Sequence, residues 1–307
     1  MNLFPLICRF LLLLVVAIAF TTPVTKSAKP GAIYFVAHPV DGLLYQNPDL
    51  FHDFHIFKCT TMVFFTSGDR GIIGNYSESC EKGLENAYSY LTGVRPSDDA
   101  WGELHVEFEE KPIVLRTLKE APHVQILYLR LPNGSPDGNG YETNDGESLR
   151  KVYEGEIKLV TTIDGSATYT LESLINVVST ILKTREARDV RVLGYKTPFP
   201  TYNDRSFDHA DHSASARIVV DVMKRDEIKR NIPGHVSSLM HEWQPTLNLS
   251  GNDFQVKEDS FHYAEFDEHT CHDYMERHLE AENFTDLFRN DDVKYVLNWL
   301  EREYYVE

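Results

Sequence analysis

The sequence predicts an α/β fold whose mostly parallel sheet is covered by helices on both faces. Three observations predict it. Short apolar runs alternate with segments of helical spacing, the runs lack the polar alternation of a half-solvated sheet, and each ends in a turn of Gly, Pro, Ser or Asp. In order, residues 32–36 (AIYFV) form the first buried strand, closed by His38-Pro39, and 60–65 (TTMVFF) form the second, closed by Thr66-Ser67-Gly68-Asp69. Residues 77–91 place Leu84, Ala87, Tyr88 and Leu91 at helical spacing, with Gly93 as the stop. Residues 124–129 are a third strand, running into a turn-rich stretch over 131–146. Thr170 caps a helix over 170–182 with Leu171, Leu174, Val178 and Ile181 on one face. A fourth strand at 190–193 and a helix over 213–230 follow, and 265–279 and 293–300 have helical patterns.

At 307 residues, 42% hydrophobic and 25% charged, the chain can bury the core of one large domain, which excludes wholesale disorder and a small disulfide-stapled scaffold. Thirty Lys and Arg face 47 Asp and Glu, a formal net charge of −17 that repels phosphate backbones, so no nucleic-acid partner is expected. Residues 1–22 carry Arg9 and then the apolar run 10–20, which reads as a signal peptide, with an uncleaved N-terminal anchor as the alternative. Residues 30–307 are expected to form a single domain with a helical C-terminal extension, secreted or in the endoplasmic reticulum lumen, or held at its membrane through an uncleaved anchor. Asn75, Asn248 and Asn283 are N-glycosylation acceptors, which agrees with that route. Of the four Cys, Cys8 lies in the leader, and Cys59, Cys80 and Cys271 allow at most one disulfide among themselves. Cys59 and Cys80 read as small buried hydrophobes or as that pair.

In open parallel sheets, ligands collect beyond the carboxyl ends of the strands. There the first strand empties into Ala37-His38-Pro39-Val40-Asp41, and the fourth leads to Asp208-His209-Ala210-Asp211-His212. Two His and an Asp converging on one rim make the ligand set of a catalytic zinc, which acidifies water and polarises a carbonyl. A spare His suits the donor to the oxyanion, and an Asp beside it suits fixing its tautomer; His209 and Asp211 fit these two tasks. The DHADH stretch also has a plain reading, as a cap on the helix beginning at Ser213.

These motifs resemble the LmbE-like/PIG-L family of zinc-dependent de-N-acetylases, whose signatures are Ala-His-Pro-Asp-Asp and His-x-Asp-His. Residues 63–69, 90–94, Leu129-Arg130-Leu131-Pro132-Asn133-Gly134 and 164–170 also look like that family, and the resemblance spans about residues 32–225. It implies a Rossmann-like three-layer fold with zinc (Zn2+) on His38, Asp41 and His212, and His209 as the acid that stabilises the oxyanion. It further implies hydrolysis of an N-acetylated amino sugar such as N-acetylglucosaminyl-phosphatidylinositol, the chemistry of GPI-anchor biosynthesis. The sequence itself allows membrane contact only through the N-terminal segment.

The chain departs from that pattern at the family's general base, the first Asp of the doublet, which is Val40 here. Gly42 replaces the acidic residue that usually follows, and Cys80 stands where the family usually carries Arg. Asp69 and Asp208 are the candidate substitute bases. The alternatives are a zinc hydroxide that reacts slowly without a dedicated base, or a catalytically impaired paralogue that binds metal or glycan. Two other His pairs are not read as metal sites: His52/His55, in a loop between strands, is a solvated surface or structural pair, and His269 and His272 share a helix face from which Cys271 points away.

Overall fold

The computed structural model describes residues 31–57, 59–200, 208–230, 232–235, 249, 251–265 and 303–305. Residues 1–22, Asn248, Asn283, the patterns at 265–279 and 293–300 and the His269/His272 pair fall outside them or almost so, Glu265 alone closing a described helix.

The elements are β1 (Ala32–Val36), α1 (Asp41–Tyr45), α2 (Asp49–Ile56), β2 (Thr60–Thr66), α3 (Tyr76–Leu91), β3 (Trp101–Phe108), β4 (Lys111–Leu118) and β5 (Val124–Leu131). After them come α4 (Leu149–Glu154), the small hairpin β6 (Val160–Thr161) and β7 (Thr168–Tyr169), α5 (Leu171–Arg185), β8 (Asp189–Leu193), α6 (Ala210–Arg225), β9 (Gly234–His235) and α7 (Gly251–Glu265). Seven strands form one sheet in the order β3-β4-β5-β2-β1-β8-β9. The five strands from β5 to β9 pair in parallel, and the β3–β4–β5 edge is antiparallel. This is the mixed, mostly parallel α/β architecture that the alternating pattern predicts.

The strand period of two divides the core. Ala32, Tyr34 and Val36 of β1 join Met62 and Phe64 of β2 in one buried cluster with α1, α2 and α3. Ile33 and Phe35 join Val63 and Phe65 in a second with α5 and α6. Each central strand is therefore apolar throughout because it feeds two cores.

Thr170 caps α5 as expected and does so reciprocally: its hydroxyl accepts from Ser173 N–H at 3.0 Å while the Ser173 hydroxyl accepts from Thr170 N–H at 2.9 Å. Thr170→Ala is expected to cost about 1 kcal/mol of stability, read from the shift of a denaturant midpoint.

Three features differ from the expectations. The β3–β4 hairpin is not announced by an apolar run, because β3 exposes Glu103, Leu104 and His105 at the sheet edge. His52 and His55 lie on α2 and not in a loop; its two buried apolar residues, Leu50 and Phe54, mark only one turn, too short a repeat to read. Both imidazoles are taken up locally, His52 Nε2 3.0 Å from Asp253 Oδ1 and His55 Nε2 3.0 Å from the Leu91 carbonyl. Cys59 is free and Cys80 is disulfide-bonded, so the two are not a pair. Among the described residues no helix is long and apolar enough to cross a membrane. Asn75, the one described acceptor Asn, is exposed at the start of α3.

Candidate metal centre

From β1 the chain proceeds to β2 and β5 on one side, while β8 and β9 lie on the other. The loops after β1 and β8 thus part at a topological switch point, where an open parallel sheet leaves a crevice. Both halves of the motif sit there.

The β1 loop turns at His38-Pro39 into α1, which begins at Asp41. Asp41 Oδ2 accepts from the backbone N–H groups of Ala37, at 3.1 Å, and His38, at 2.6 Å. That fixes the carboxylate and leaves Oδ1 for other work. Across the switch point, α6 starts at Ala210 and not near Ser213, because the imidazole of His209 serves as its cap and accepts from Asp211 N–H at 3.1 Å. His is outside the usual set of capping residues, so the sequence places the start too late. The earlier start puts Asp211 and His212 in the first helical turn, both buried.

Three ligand atoms meet. His38 Nδ1 lies 3.2 Å from His212 Nε2 and 3.4 Å from Asp41 Oδ1, and His212 Nε2 lies 3.1 Å from Asp41 Oδ1. Atoms bound at about 2 Å to one tetrahedral ion stand roughly 3.3 Å apart, so the donor set fits a single zinc. Burial alone would raise the Asp41 carboxyl, but the adjoining His212 and His38 hold it well below the usual carboxylate range. Burial would likewise lower His212, and Asp41 with Asp208 pushes it well above its ordinary value.

The surrounding residues orient the three. Asp208 Oδ1 accepts from His212 Nδ1 at 2.8 Å, which leaves Nε2 to face Asp41 and His38. Asp208→Asn is expected to weaken zinc binding by about 10- to 100-fold, measured by competition with a chelating dye. Asp211 behaves differently from the expectation. Its carboxylate lies 3.2 Å from His38 Nε2 and 3.9 Å from His209 Nδ1, so it orients His38, and its backbone N–H is what sets the His209 tautomer. With Nδ1 accepting, the His209 proton resides on Nε2. Burial and the nearby His38 bring His209 down to about 3, so the ring is neutral near neutral pH. It stands edge-on to His38, with ring centroids 4.5 Å apart.

Asp69 is placed as a loop pin. Its oxygens accept from Ser67 Oγ, Asn133 N–H, Gly71 N–H and Asn144 Nδ2, at 2.7 to 3.0 Å. Val40 is half-buried against the core cluster on the α3 side. Gly42 faces the Tyr88 hydroxyl and Met62 at about a Cβ's reach, 3.0 and 3.1 Å, so no acidic side chain fits there without moving both.

Sequence reasoning gives Gly134 no role of its own. Its N–H donates to Asp211 Oδ2 at 2.8 Å, and a Cβ there would come within 2.5 Å of Asp211 Oδ1. The loop after β5 can approach Asp211 only as glycine. A Gly after Pro-Asn at a strand end is the signal, but it reads equally well as a turn.

The sequence matches no protein-family model and no curated protein. Among solved structures the chain is similar to N,N'-diacetylchitobiose deacetylase from Pyrococcus horikoshii in complex with an inhibitor, at 12% identity and a TM-score of 0.41, over 86% of this chain and 79% of that one. It is also similar to a conserved protein from Thermus thermophilus, at 17% identity and a TM-score of 0.39, over 77% of this chain and 79% of that one.

Proposed function

We propose that the chain is a zinc-dependent hydrolase that removes the N-acetyl group from an amino sugar. The observation that carries this reading is the approach of His38 Nδ1, Asp41 Oδ1 and His212 Nε2 to within 3.1 to 3.4 Å of one another, at the switch point of the sheet. A zinc ion held there supplies Lewis acidity toward water and an amide carbonyl. His209 presents Nε2–H beside it as the donor to the oxygen that becomes negative in the transition state. Asp211 and Asp208 hold the two ligand imidazoles in the required tautomers. The substrate class rests on the resemblance of the two motifs to the de-N-acetylases; within it, N-acetylglucosaminyl-phosphatidylinositol or a related glycoconjugate is the proposed substrate. An exported or lumenal setting belongs to the same reading, and N-terminal sequencing of the mature chain tests it.

A second reading, a catalytically impaired relative that binds metal or glycan, is favoured by one observation. Val40 cannot take a proton, Asp69 has both oxygens engaged, and Asp208 Oδ1 is occupied by His212 and by the His209 N–H. The direct test is acetate release from N-acetylglucosamine conjugates with and without a chelator. Chelator-sensitive release supports the hydrolase; a chain that holds zinc and releases no acetate supports the second reading, and one that holds no zinc removes the hydrolase and leaves only glycan binding.

A further inference from the structure

A second group of ionisable side chains is buried away from the metal centre, where residues 303–305 meet the sheet. His235 ends β9 and forms an antiparallel bridge with Tyr305, and Asp49 opens α2 beneath them. His235 Nε2 stands 3.4 Å from Asp49 Oδ2 and 3.7 Å from Glu303 Oε1, and one ligand atom from each residue lies within 4.8 Å of the others. His235 is fully buried, yet neither ring nitrogen makes a well-formed hydrogen bond among the described residues. Buried imidazole nitrogens normally have partners, so an orphaned pair beside two carboxylates points to a ligand.

Asp49 and Asp53 both contact Arg191, and Glu303 lies near the fully buried Lys257. Arg191 and the Tyr305 hydroxyl, the latter at 2.7 Å, both donate to Asp49 Oδ2 and fix that carboxylate beside His235.

We propose that Asp49, His235 and Glu303 form a second, structural site for a divalent transition-metal ion, which ties residues 303–305 to α2 and β9. One imidazole and two carboxylates suit zinc and its neighbours in the first transition row. The ion satisfies His235, which is buried with neither ring nitrogen in a well-formed hydrogen bond.

The test is zinc stoichiometry on the full chain, stripped with chelator, reloaded with zinc chloride and freed of excess. Two zinc ions per wild-type chain are expected, with one lost in Glu303→Gln and a different one lost in Asp41→Asn. His235→Asn serves as a second variant of the same site. A wild-type chain holding a single ion that Asp41→Asn abolishes overturns the second site and leaves the proposed function standing. A single ion that survives Asp41→Asn and disappears in Glu303→Gln does the reverse. Two ions retained in both Glu303→Gln and His235→Asn overturn the assignment as well.

Discussion

Val40→Asp is expected to raise the rate of acetate release from an N-acetylglucosamine conjugate by about 10²- to 10⁴-fold, the usual contribution of a positioned general base. The position lies between His38 and Asp41, two of the three residues whose ligand atoms converge, so a carboxylate there enters the loop that carries half of the site. Val40 contributes only partial burial against the core cluster, and removing it costs a small fraction of the core. The gain should appear in kcat with little change in zinc content, because no ligand atom is altered. An unchanged rate in a folded, zinc-loaded variant would mean that the crevice is shaped for binding and not for turnover.

The second large effect concerns Asp41. Asp41→Asn keeps an oxygen to accept from the Ala37 and His38 N–H groups, at 3.1 and 2.6 Å in the native loop, and removes the charge that faces His212 and His38. Zinc affinity is expected to fall by more than about 100-fold, since loss of an outer-shell partner alone costs about 10- to 100-fold, and acetate release should fall to background. Elemental analysis after dialysis reads the first and a coupled acetate assay the second. Asp41→Ala adds a stability loss, because two buried N–H groups lose their acceptor at about 1–3 kcal/mol each. Equal zinc content in wild type and Asp41→Asn would exclude this carboxylate as a ligand.

Much of the candidate site is legible in the sequence because its chemistry is local. His38 and Asp41 follow a buried strand within five residues of its end, and Asp208 to His212 form one short block, so strand-end logic is sufficient to bring them to one rim. The four strands recognisable from apolar runs are those at the centre of the sheet, where both faces are covered. What escapes the sequence is shaped by tertiary contact. The edge strand β3 carries polar residues to solvent, and α2 is too short for its period to register. Proximity along the chain pairs Asp211 with His209. Its carboxylate turns instead to His38, 173 residues away, under the hold of the Gly134 amide. No spacing rule within one motif encodes a hydrogen bond supplied by another loop.

The switch-point location also has a consequence for assembly of the chain. His38, in the loop after β1, and His212, in the first turn of the helix after β8, are 174 residues apart in sequence, so the metal centre closes a long loop. Such a contact is entropically expensive to form early and tends to form late. During synthesis no length of chain ending before residue 212 can hold the ion through all three residues. An ion that binds only the completed β1–β8 neighbourhood then stabilises the native sheet over every partly folded form, in proportion to the logarithm of its concentration above its dissociation constant. If that ion is zinc, as proposed, its supply would set the yield of folded protein, and because the contact forms late, unfolding should be faster in a chelator than with zinc present, with little change in the refolding rate.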